Sequence, residues 1–195
     1  MTPYHSMSTK QSSEIDLPRR VFLENVVGYA GGVVAIALYT YFFIIQLCPW
    51  TWWQYILAII ISFDVAGGLV CPHLYSSIRS YSNPFEQIDR EDPSVMQILK
   101  QDWIYRLIHI HPIIVQLCFS SINCWHIGVF WYLILQLSAA VALTVPLNLQ
   151  QSISMLLCLI PLIFNYYFIQ PVGGFEWLIP ALFFKVLNGL ILRNR

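Results

Sequence analysis

The sequence predicts an all-α integral membrane protein, a six-helix bundle with both termini on the cytoplasmic side. Three observations carry that prediction. Hydrophobic residues make up 57% of the 195 positions and charged ones only 10%, whereas a soluble domain carries about 25% charge. Apolar segments long enough to cross ~30 Å of hydrocarbon, roughly 20 residues each, recur along the chain. Finally, Lys and Arg outside those segments fall on alternate connections.

The segments lie near 26–47, 52–72, 103–122, 127–146, 150–169 and 175–192. A tight turn at Pro146-Leu147-Asn148 joins the fourth to the fifth. Lys10, Arg19, Arg20, Arg79, Arg90, Lys100, Arg193 and Arg195 occupy the N-terminal tail, the 73–102 loop and the C-terminus. The connections near 48–51, 123–126 and 170–174 contain no basic residue. The positive-inside rule then sets residues 1–25, the 73–102 loop and residues 193–195 in the cytoplasm, and six crossings require the same parity. The domain organisation read from this is one transmembrane unit over 26–192 in the cell (plasma) membrane. Residues 1–25 contain no early apolar core of a cleavable signal peptide, so the first span is expected to act as an uncleaved anchor.

Trp50, Trp52, Trp53, Trp103, Trp125, Trp131 and Trp177 stand near segment ends, where interfacial aromatic belts sit. Gly28-x-x-x-Gly32 offers a small-residue face for a neighbouring helix, or room for a ligand. The five cysteines form no Cys-x-x-Cys pair and lie in or beside apolar segments, as reduced packing residues do. Zero formal net charge and the absence of a basic patch exclude a nucleic-acid partner. The bilayer is the first partner implied, and a homo- or hetero-oligomer stays open. Glu86, Asp89, Glu91 and Asp92 read as a solvated acidic face, since their spacing fits no EF-hand loop. A short surface helix is expected from Asp92-Pro93-Ser94 through Lys100.

The informative residues are the polar ones inside the spans. Asp102, Arg106, His109, Gln116 and Ser120 share a stripe about 80° wide if the third segment is a regular helix, and His111 points away from it. Charge in hydrocarbon costs about 2.5–3.5 kcal/mol per group at the centre of a helix, so such residues face an interior. Counting ~1.5 Å per residue from each cytoplasmic end puts Asp64 about 12 Å deep, Lys185 about 10 Å and His109 roughly 9 Å. Asp64, Arg106, His109 and Lys185 are therefore expected in one layer, with Asn25 and Glu24 at its mouth, and the four layer residues with Gln116 are the candidate substrate-binding residues. An Asp64–Arg106 salt bridge is expected, because their helices flank one loop. Lys185 pairs with Asp64 or helps bind an anion, Arg106 supplies a bidentate fork, and His109 is the candidate proton carrier or catalytic base. Pro112 should kink the third span just past the histidines.

No cofactor or metal is expected. His109 and His111 on opposite helix faces cannot chelate one ion, the histidines are too few for an iron-dependent membrane hydroxylase, and P-loop and Gly-x-Ser-x-Gly signatures are absent. The two three-helix halves share no motif, which weighs against an inverted repeat. The chemistry left open is binding of a small anionic solute or lipid headgroup with proton-coupled transport, a lipid-modifying transferase or hydrolase, or a non-catalytic assembly subunit.

Asp64-x-x-Gly67-Gly68-x-Val70, the polar turn through Ser76-Ser77 and Arg79-x-Tyr81, and His109-x-His111-Pro112 together resemble a pattern in uncharacterised small polytopic membrane proteins of bacteria. The resemblance covers residues 64–112 and departs where Cys71-Pro72-His73 follows the valine. It implies a six-helix membrane fold and no catalytic roles.

Overall fold

A computed structural model of the chain describes residues 7–70, 102–120, 124–167, 169 and 171–193, with side chains described from 26 onward except at 102, 166, 167, 192 and 193. The 73–102 loop, with its acidic run and expected surface helix, lies almost wholly outside the described residues, as do the side chains of Glu24 and Asn25.

Among the described residues every regular element is a helix: α1 (Met7–Ile44), α2 (Trp52–Val70), α3 (Asp102–Leu107), α4 (His111–Phe119), α5 (Trp125–Thr144), α6 (Leu147–Tyr167) and α7 (Leu178–Arg193). Four stretches are long and apolar enough to cross a membrane: Val26–Ile44, Trp52–Val70, Trp125–Thr144 and Leu147–Asn165. In length and apolar composition these stretches are what membrane-spanning helices require. Trp103–Phe119 and Leu178–Ile191 are shorter apolar helical stretches. Helix α1 starts at Met7 rather than near 26. The expected turn at Pro146 is present, with only Val145 and Pro146 between α5 and α6.

Helices α1 and α2 pair along their length, and small residues set how closely. A Cβ on Gly31 would meet Val70 Cγ2 at 2.8 Å, and one on Gly67 would stand 3.3 Å from the Gly28 carbonyl oxygen. The Gly28–Gly32 face is thus a packing surface, where backbone approach replaces side-chain volume. Helix α7 is the centre of the bundle, touching α2, α5 and α6. Its Leu182, Phe183, Val186, Leu187 and Leu190 are fully buried.

Two expectations are corrected. The third span is not one regular helix: it breaks between Leu107 and His111. Pro112 lacks an N–H and its ring clashes with the carbonyl four residues back, that of Ile108. The chain answers before the proline, not after it: His109 N–H turns to the Arg106 carbonyl at 3.3 Å, Ile110 N–H to the Ile108 carbonyl at 2.9 Å, and α4 restarts with the proline in its first turn. The other correction is Trp131, buried in the core at 2% exposure rather than standing at an interface. Trp50 and Trp177 also pack against the core, while Trp52, Trp53, Trp103 and Trp125 are exposed as belt residues are.

Candidate functional site

Helix α2 brings one carboxylate, Asp64, to the face it shares with α7. Lys185, one turn before Gly189 on α7, donates from Nζ to Asp64 Oδ2 at 2.6 Å and to the Asp64 backbone carbonyl at 3.0 Å. The lysine stem reaches that position across Gly68: a Cβ there would stand 2.5 Å from Lys185 Cε. The bare glycine strip beside Asp64 is thus the channel through which a long side chain passes. Lys185 is 1% exposed, whereas the Asp64 side chain keeps 37% of its surface open. A buried ammonium is faced by a carboxylate that solvent or solute can still reach.

The second partner of Asp64 is His111, with Nε2 3.3 Å from Oδ2. Sequence periodicity aimed His111 away from this layer. The break at Ile108–Ile110 changes the phase between the two halves of the span, so α4 turns His111 to α2. His109 sits at the break, 1% exposed, and its Nδ1 lies 2.6 Å from the Tyr105 carbonyl. A carbonyl only accepts, so Nδ1 carries the hydrogen and Nε2 is the basic nitrogen. The two imidazoles stand 5.8 Å apart between centroids. The Tyr105 ring packs 4.8 Å from His109, and its hydroxyl lies over the missing side chain of Gly189.

The structure therefore joins Asp64, Lys185, His109 and His111, and it separates Arg106 and Gln116 from them. Arg106 does not pair with Asp64. It lies in the last turn of α3, whose backbone lies against α5, with Gln136 Nε2 donating to the Arg106 carbonyl at 3.0 Å. Its Nε is enclosed with no hydrogen-bond partner, and it has no carboxylate partner among the described residues. Shared depth on consecutive helices was a sound warrant for a layer but not for the pair, because depth says nothing about the angle at which a broken helix presents a side chain. Gln116 is buried on another face of α4 and lines a small cavity with Trp131 and Asn165; its Oε1 has no partner there. His111 was missed as a member of the layer. A proline one residue after the second histidine was the available signal that regular phase would fail.

Chemically, the layer holds one anion, one cation and two imidazoles within the apolar core. The carboxylate and the ammonium offset each other, as burial demands, and the carboxylate is the accessible member. Among the described residues no three His, Cys, Asp or Glu side chains are grouped as metal ligands. No family model, curated protein or solved structure matches the chain.

Proposed function

We propose that the chain is a six-span protein of the cell membrane, N- and C-termini cytoplasmic, that binds a small anionic group from the cytoplasmic side together with a proton. The group is a free solute anion or a lipid headgroup, and proton-coupled transport is the activity this serves. The observation that carries the reading is the enclosed Lys185 ammonium held by a half-open Asp64 carboxylate.

The step balances in charge. A proton taken up by the half-open Asp64 carboxylate removes its negative charge and frees the ammonium. The anion then takes the carboxylate's place on Nζ, and the layer's net charge is unchanged. Departure of the anion and return of the proton to water restore the pair. Without the proton, a second anion would stand beside Asp64 in a low-dielectric interior, which is costly. Arg106, lacking a carboxylate partner among the described residues, supplies further positive potential at the cytoplasmic side. A hydrolase or transferase has less support: His109 is enclosed, and the Nδ1 of His111 is buried, so neither offers a base to an entering substrate.

Proteoliposomes with an entrapped pH dye test this. Inward gradients of phosphate, acetate or chloride should include one that acidifies the lumen with wild-type protein and not with Asp64→Asn. Folding of the variant is checked by gel filtration. If no anion moves a proton, and vesicles containing phosphatidylglycerol bind no better than neutral ones, the reading fails.

A further inference from the structure

A second feature stands apart from the Asp64 layer. Between α1 and the Gly173–Trp177 connection runs an apolar groove of about 690 Å³. Its long wall is the face of α1 carrying Gly31, Ala35 and Leu38, with Ala66 of α2 beside it. From Gly31 to Phe42 that wall is about 16 Å long, more than half the ~30 Å hydrocarbon thickness. Small side chains make the trough, and the exposed flank of α1 leaves it open sideways: Val33, Val34 and Leu38 are all 50% exposed or more.

One end of the groove differs from the rest. Tyr39 and Trp177 line it, joined by a hydrogen bond of 2.8 Å from indole to phenol, and the phenol donates to the Gly174 carbonyl. Stacking on Trp50, with ring centroids 5.3 Å from Tyr39, fixes that aromatic wall. The charged residue in the lining is Glu176. It is exposed, accepts a hydrogen bond from the Gly174 N–H at 3.0 Å, and has no cationic partner among the described residues. An apolar trough thus ends at one carboxylate beside Trp177 and the buried Tyr39. The carboxylate attracts ammonium, an indole can add to that attraction, and the carboxylate repels phosphate or a fatty acid.

We infer that this groove binds the tail of a membrane amphiphile whose headgroup carries an ammonium, with the head at Glu176 and the tail along α1. The site is separate from the Asp64–Lys185 layer and does not depend on the function proposed for it.

Native mass spectrometry of the whole chain in a neutral maltoside detergent tests the inference. The probes are dodecyltrimethylammonium, lysophosphatidylethanolamine and dodecyl phosphate, offered at equal concentration. Wild-type protein should retain one ammonium amphiphile and at least tenfold less dodecyl phosphate. Glu176→Gln should bring the two heads within about twofold of each other, and Ala35→Phe, which fills the trough, should lose both adducts. Gel filtration confirms that each variant is folded. Equal retention of the two heads by wild-type protein would overturn the inference, as would an adduct that survives Ala35→Phe. A dimer in which Ala35→Phe disrupts the contact would assign the groove to a second copy instead, and would also overturn it.

Discussion

Helices α1 and α7 are both apolar, yet they have opposite surroundings. Helix α1 leaves Val33, Leu38, Tyr41 and Ile44 half or more exposed and is packed chiefly on α2. Helix α7 hides five large side chains completely and is packed on three helices. Average hydrophobicity does not separate them, because in a bilayer leucine is as well placed in lipid as in protein. The residue that separates them is charged: α7 carries Lys185 in its middle, while the membrane-length stretch of α1, Val26–Ile44, carries no charge. A helix bearing an ammonium must be surrounded by protein that supplies its counter-ion. The most enclosed helix is accordingly the one with the least tolerable side chain.

Substitutions can sharpen or break that comparison. The largest effect is expected for Asp64→Leu, which strands the Lys185 ammonium in the core. Removing one member of a buried pair costs about 3–5 kcal/mol, read as a drop in thermal midpoint in detergent or as lost folded yield. Lys185→Met should cost less, since the half-open Asp64 carboxylate can rehydrate. Next comes volume: Leu187→Ala on α7 should cost about 2–5 kcal/mol by leaving a cavity. Leu38→Ala on α1 is expected to stay within about 0.5 kcal/mol. Equal losses at the two positions would mean that α1 is covered by protein in the native membrane.

Gly68→Ala should fall between these extremes, at about 1–3 kcal/mol, because its methyl meets the Lys185 stem and forces the ammonium off Asp64. Pairing it with Lys185→Met should cancel most of that loss. The smallest effect concerns Cys48, in the connection after α1. Burial first, and then the Glu176 carboxylate, hold its thiol above the ordinary range. Maleimide labelling of the buried Cys48 should therefore lag behind that of the half-buried Cys118 and Cys124 at pH 8, and should itself accelerate as pH rises. Glu176→Gln should narrow the gap slightly. Labelling of Cys48 at the rate of the other two would contradict the enclosure described for that corner.

Much of this was legible in the sequence. Hydropathy located the long spans, the Pro146 turn and the Gly28–Gly32 contact. Matched depth from the cytoplasmic ends placed Asp64 and Lys185 in one layer, and their pairing was among the alternatives open for Lys185. What was not legible turned on angle. The stripe Arg106–His109–Gln116 assumed one unbroken helix, and the break before Pro112 dissolved it, separating Arg106 from Asp64 and turning Gln116 toward Trp131 and His111 to Asp64. Periodicity cannot state how much turn a break absorbs. Trp131 misled for a similar reason: its place near a segment end resembled an anchor, while its side of α5 faces Phe183 of α7 at 6.2 Å between ring centroids.

The central claim is that Asp64 and Lys185, not Asp64 and Arg106, form the pair that holds the layer together. A thermal-stability double-mutant cycle in detergent addresses it directly, using Asp64→Leu with Lys185→Met and, separately, with Arg106→Met. Removing both members of a true pair leaves no stranded charge. The Asp64/Lys185 double variant should therefore be more stable than Asp64→Leu alone, and Asp64/Arg106 should show simple addition of the single losses. Additive losses at Lys185 together with rescue at Arg106 would contradict the account.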